Sequence, residues 1–148
     1  MTFPAGLHKE SLMGTYRTAI KSVALDGGAG SGQQGTISLF TVTGYVHVLV
    51  VGWCTEDVVG AGTFEVGITG ATAALIAQIA DATNIDAGMI IFDATPADIE
   101  ALSSIGGAFI GGGEDIFATV GTADLTDGTI HFVCFWTPLS ADGNVVAA

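Results

Sequence analysis

The sequence predicts an all-β fold: a jelly-roll-like β-sandwich preceded by an extended N-terminal arm. Three observations carry this expectation. Twenty-two glycines punctuate short apolar stretches rich in Val and Thr, the pattern of many short strands joined by turns. Several stretches alternate with period two, as strands with one buried face do. The 148 residues are 49% hydrophobic and only 12% charged, unlike a disordered chain, and one domain of this length buries enough surface to fold without metal or disulfide.

The elements follow in chain order. Residues 1–14 hold Pro4, Gly6 and Gly14, show no periodicity, and read as an arm outside the core; residues 15–148 form one sandwich domain. The first predicted strand is Thr15–Val23, with Tyr16, Thr18, Ile20 and Ser22 on one face and Arg17, Ala19, Lys21 and Val23 on the other. Asp26–Gly35 is a glycine-rich loop, expected to be mobile unless something covers it. Strands are predicted at Thr36–Thr43, Tyr45–Cys54 and Gly62–Thr69. Ala71–Ala82 places Leu75, Ile76 and Ile79 at helical spacing, but Gly70 and Asn84 frame it like hairpin punctuation, which favours a strand through Leu75–Ala80.

Met89–Phe92 is the next predicted strand. Thr95-Pro96-Ala97-Asp98 then has the grammar of a helix start, with Thr as cap, Pro at the first helical position and Asp98 and Glu100 at the positive end of the dipole. It predicts one short helix over Pro96–Ser103. Glycines 106–107 and 111–113 predict a flexible flap around Ala108-Phe109-Ile110. Asp115–Val120 and Thr129–Thr137 complete the set. In the last, Ile130, Phe132, Cys134 and Trp136 share one face. The other, with His131, Val133 and Phe135, is too apolar for open solvent, so both faces are expected to be covered, one by the opposing sheet and one by a neighbouring subunit.

Charge is unevenly placed. Lys9, Arg17 and Lys21 are the only cationic Lys/Arg side chains, whereas fourteen of the fifteen Asp/Glu follow Ser22, for a net charge of −12. Such a body repels nucleic-acid phosphates and anionic lipid, and favours solubility and docking to a cationic protein surface. Apolar runs stop near nine residues, as in Tyr45–Trp53, well short of a membrane span. Met1–Gly14 lacks the apolar stretch of a signal peptide.

Motifs for chemistry are weak. Gly30-Ser31-Gly32-Gln33-Gln34-Gly35 spells GxGxxG but leads into a β-branched stretch instead of a helix, so a hairpin loop is expected and not a dinucleotide site. Cys54 and Cys134 read as buried free thiols with no zinc spacing. His47 and His131 lie in strands, where facing each other across a sheet would make an acid/base or metal pair only with a carboxylate beside them. Asp81, Asn84, Asp86 and Gly88 form an acidic turn without the EF-hand order. No catalytic residue, metal ligand set or cofactor is expected. Phe3 and Phe109 are the aromatics outside predicted strands, and Phe109, between glycines, is a candidate partner anchor.

A resemblance rests on Thr36–Thr43 running into Tyr45–Cys54, then Thr63-Phe64-Glu65-Val66-Gly67, Thr72–Gln78, Ile85-Asp86-Ala87-Gly88, and a closing Trp136-Thr137-Pro138-Leu139-Ser140-Ala141-Asp142-Gly143-Asn144-Val145. Across about residues 36–148 the chain resembles small β-sandwich virion proteins of tailed bacteriophages, above all the head decoration or cement proteins. The resemblance implies a homotrimer on the outer capsid surface, bound to the major capsid protein and assembled in the host cytoplasm. It also implies an N-terminal arm that holds the shell; in this chain the arm residues are Thr2, Phe3, Pro4, Leu7, His8, Lys9 and Leu12. The expected function is non-enzymatic stabilisation of the capsid between capsomers. The alternative is a tail-fibre or spike-tip module that binds a receptor glycan, for which Trp53 and Trp136 look too deeply set in strands. An enzyme using loop carboxylates such as Asp93 or Asp124 is the third class, and no pair is visible in the sequence.

Overall fold

A computed structural model describes residues 16–100 and 107–148. The predicted arm, 1–14, and therefore Thr2, Phe3, Pro4, Leu7, His8, Lys9 and Leu12, lie outside the described residues. Among the described residues there are ten strands: β1 (Arg17–Ala24), β2 (Gly35–Thr43), β3 (Val46–Val59), β4 (Thr63–Ile68), β5 (Ala71–Ile79), β6 (Ile90–Ile91), β7 (Ala108–Ile110), β8 (Ile116–Gly121), β9 (Asp127–Pro138) and β10 (Asn144–Ala147). A single 3₁₀ turn, Ala82–Asn84, is the only helical element among the described residues.

The strands make two five-stranded sheets. The first runs β1-β9-β3-β6, with β7 also on β3; the second runs β10-β2-β8-β4-β5. All pairings are antiparallel. Successive strands cross from sheet to sheet except at the β4–β5 hairpin and the β6–β7 edge. Order 1-9-3-6 facing 2-8-4-5 is a jelly roll, with β10 added at the edge beside β2.

Alternation explains the core. On β9, Ile130, Phe132, Cys134 and Trp136 point inward and are buried; on β3, Val46, Val48, Val50 and Cys54 do the same. The second sheet answers with Ile37, Leu39, Phe40 and Val42 of β2, Ile116, Ala118 and Val120 of β8, and Phe64 and Val66 of β4. A bulge between Ser38 and Phe40 turns both Leu39 and Phe40 inward. Phe64 and Phe132 stack across the sandwich at 6.0 Å, bridging the sheets. Gly52 sits opposite Phe132, where a Cβ would come within 3.0 Å of the ring, so the glycine makes room for it. Each such fully buried Phe, Leu or Ile contributes on the order of 1.5–3 kcal/mol.

Three expectations change. Residues 96–100 are not helical: Ala97 exchanges both backbone hydrogen bonds with Ile90, at 2.8 and 3.2 Å, and Thr95 donates its amide and hydroxyl to Asp93 instead of capping a helix. Residues 101–103 of the predicted helix lie outside the described residues. The Asp26–Gly35 loop is mostly exposed yet fastened at two points. Gly32 accepts from the Leu125 amide at 2.7 Å and the Gln34 amide donates to Asp124 at 2.8 Å, which pins the loop to the β8–β9 connection. Gly32 has φ +126 and its missing Cβ would lie 2.0 Å from the Leu125 carbonyl, so only glycine fits. Ala108–Ile110, expected as the tip of a flap, forms β7 on the edge of β3.

Candidate functional site

Because side chains alternate, the inward rows of the first sheet fix its outward rows. By register these are Tyr16, Thr18, Ile20 and Ser22 beside β9's Thr137, Phe135, Val133 and His131, then His47, Leu49, Val51 and Trp53 of β3, with Ile90 of β6 and Phe109 of β7 beyond. Val133, Phe135, Leu49, Val51, Trp53 and Ile90 are each half-buried, and Ile20 is exposed at 58%. The sequence singled out the His131, Val133 and Phe135 row. The structure shows that the neighbouring strands extend it into an apolar face.

Two aromatic–histidine groups stand near opposite ends of this face. His47 has Tyr16 Oη 3.3 Å from its Nδ1 and the Phe109 ring 5.0 Å away. His131 stacks on Trp53 at 5.3 Å and its Nε2 lies 3.2 Å from Thr55 Oγ1. His131 registers with Trp53, six residues from His47 along β3, which is roughly 20 Å. The two histidines therefore share a face but do not form a pair. Phe109, the candidate anchor, is 78% exposed and belongs to β7. Along the flank, Val51, Ile90, Phe92 and Glu100 line a recess of about 170 Å³, and Glu100 Oε1 is buried without a hydrogen-bond partner among the described residues.

The carboxylates are dispersed and mostly serve the backbone. Asp26 accepts from the Gly28 amide and Ser31 hydroxyl, Asp57 from the Ala87 amide, Asp81 from Thr83, Asp115 from the Val42 amide and Asp142 from Ser140. Hydrogen bonds from Ser31 and Gly28 hold Asp26 below the usual carboxylate range; those from Thr83 do so for Asp81, and those from Thr95 for Asp93. Acceptors of this kind stay ionised and fasten turns. Among the described residues no three His, Cys, Asp or Glu gather as a metal-binding group. Glu65, the one buried charged residue among those described, accepts from Gln78 Nε2 at 2.9 Å on the outside of the second sheet.

Both cysteines are free and buried in the inner row. Cys134 registers with Val50, four residues from Cys54 on β3, a separation of roughly 13 Å that a disulfide cannot bridge. Burial pushes the Cys134 thiol up to about 12 and, together with nearby Asp57, Asp86 and Glu56, outweighs one backbone hydrogen bond to raise that of Cys54. Neither is a ready nucleophile at neutral pH.

A groove of about 350 Å³ opens between β1 and β2, lined by Lys21, Ser22, Val23, Thr36, Ser38 and Ala148. The Lys21 ammonium donates to the Ala148 carbonyl there. Arg17, the other described cation, lies over the Trp136 ring at 5.1 Å.

What the fold and these surfaces define is a jelly-roll sandwich with one apolar outer face, one mainly polar outer face and loops fastened by carboxylates. No family model, curated protein or solved structure matches the chain.

Proposed function

We infer that the protein is a non-enzymatic capsid decoration protein of a tailed bacteriophage. In this reading it is a homotrimer that binds the major capsid protein on the outer head surface and braces capsomers against separation. The observation that carries the reading is the division of charge. All three Lys/Arg lie within the first 21 residues, Lys9 ahead of the sandwich and Arg17 and Lys21 on its first strand, and the rest of the sandwich carries fourteen Asp/Glu and no Lys or Arg. A leading segment with Phe3, Leu7, Lys9 and Leu12 attaches, and the domain behind it reinforces. The jelly roll is compatible with this by analogy alone, since viral capsid domains use it, as do lectins and cupins. Dispersed carboxylates that serve turns supply no paired acid and base for hydrolysis. Attachment at three points would make release slow even where each contact is weak.

The test is to delete Met1–Met13 and measure binding to heads that lack the protein. The truncated chain should keep its β-sheet circular dichroism and lose head binding. Undiminished binding by a folded truncated protein would refute the arm's role. The glycan-binding alternative draws on one observation, the half-buried Trp53 stacked on His131 at the sheet surface. Binding of the isolated protein to a glycan array, with no binding to heads, would favour it.

A further inference from the structure

The outer face of the first sheet is at odds with the rest of the surface. Its central rows, Thr18-Ile20-Ser22 of β1, His131-Val133-Phe135 of β9 and Leu49-Val51-Trp53 of β3, hold no carboxylate in a chain of net charge −12. Carboxylates stand only at its margin: Glu56 is bonded to Thr129 at one end and Glu100 lies beside Val51 on the flank. On the second sheet the corresponding outward positions are mainly polar, with Thr36, Ser38 and Thr41 on β2, Thr119 on β8 and Glu65 on β4, and with Phe117 of β8 and Val146 of β10 as apolar exceptions. A soluble antiparallel sheet ordinarily has that second pattern.

We propose that copies of this chain join through the outer face of the β1-β9-β3 sheet. Two arguments choose a second copy as the occupant. The first is charge. A cationic partner would seek the carboxylates, and this face withholds them. Two copies of a −12 molecule repel at every carboxylate-bearing surface, and here they can meet without that cost. The second is area. About seven residues along each of the three strands β1, β9 and β3 span roughly 24 by 14 Å, on the order of 340 Å² in projection, and the short β6 and β7 extend it beyond β3. Side-chain relief raises the accessible area, and Phe109, 78% exposed beside His47, widens the patch. That matches the largest apolar patch of an ordinary monomer, and the polar rim around it would supply the rest of the roughly 800 Å² per partner of a stable interface. The face also has the composition of an interface core, with Trp, Phe and Tyr among aliphatics and a charged rim.

This inference deepens the homotrimer in the reading above and rests on it, but not on the shell. Face-to-face stacking gives a dimer, and each face set against a carboxylate-free part of a neighbour's surface gives a closed ring such as a trimer.

The experiment is sedimentation velocity on the full chain, alone, over a concentration series at low and high salt. Ile20→Glu is the probe variant: the side chain is 58% exposed on an edge strand, so the fold should survive, as circular dichroism would verify. The expected result is an oligomer that added salt does not dissociate, since screening relieves repulsion between acidic bodies. Ile20→Glu should weaken association on the order of a hundredfold, because it places a charge in an apolar interface. Should that variant unfold, Thr18→Glu on the same row substitutes for it. A wild-type monomer throughout the series overturns the inference, whether the chain's own first fifteen residues or nothing covers the face. An oligomer that persists undiminished in a folded Ile20→Glu or Thr18→Glu variant overturns it too, while leaving the trimer standing. Failure to bind heads would instead strike the shell reading and leave self-association untouched.

Discussion

The two sheets of this sandwich are alike inside and unlike outside. Inward, both present Val, Ile, Leu and Phe, meeting at the Phe64–Phe132 stack. Outward, β2 offers Thr36, Ser38 and Thr41, whereas β9 offers His131, Val133 and Phe135. The inner likeness holds the fold together, since both sheets must fill one common space. The outer difference is not required by the fold, because the polar pattern of the second sheet shows that a strand of this jelly roll tolerates Thr and Ser on its far side. Residues that folding does not demand point to interaction.

The largest test concerns the inner likeness. Phe132→Ala and Phe64→Ala should each cost about 3–5 kcal/mol in urea unfolding, by loss of burial and creation of a cavity. Values for the two that differ by more than about 2 kcal/mol would break the claim that the sheets share one core evenly. A middling test concerns the outer difference. Ser38→Lys should change stability by less than about 0.5 kcal/mol. Val133→Lys, set among Ile20, Val51 and Phe135, should cost more than about 1 kcal/mol in thermal melts at oligomer-forming concentration, with the gap shrinking on dilution if burial by a second copy is its source. Equal effects would erase the contrast. The smallest effect belongs to loops that serve both sheets alike. Asp81 is depressed by its hydrogen bonds to Thr83, so its contribution is present above the unfolded carboxylate pKa and is lost as pH falls through the lower folded value. Asp81→Asn should lower the melting temperature slightly at pH 7, and the difference should fade in acid below the ordinary Asp pKa. A difference that grew as pH fell would reverse the sign.

The sequence made the strongly alternating strands legible. Thr36–Thr43, Gly62–Thr69, Asp115–Val120 and Thr129–Thr137 all fall within about two residues of their strands, and the face assignments of β1 and β9 hold. The Ala-rich segment is β5, as the framing by Gly70 and Asn84 indicated, because Ile76 and Ile79 pack inward against β4. Elsewhere tertiary pairing overrides the local pattern. β3 continues five residues past Cys54 through two irregular registers that no period reveals. Thr95-Pro96 begins a turn because Ile90 claims Ala97. β10 is not legible in the sequence, since Val145 and Val146 form too short a run to stand out before β2 provides a partner. For the site, the apolar second face of β9 was legible from one strand. Its extension across Leu49, Val51 and Ile20 was not, because register between distant strands sets which rows align.

That register has a consequence for how the molecule is made. Arg17 pairs with Trp136, and the whole of β1 has β9 as its sheet neighbour. β1 leaves the ribosome ahead of the other described strands and must wait until nearly all of them have followed. Until then Val23, Ile37, Leu39 and Phe40 have no complete partner sheet to enter. Pairings this distant in the chain close slowly, in milliseconds to seconds, and leave unpaired strand edges exposed meanwhile. The late arrival of β9, which is also the central strand of the apolar face, ties completion of the monomer to the appearance of the surface through which copies are proposed to meet.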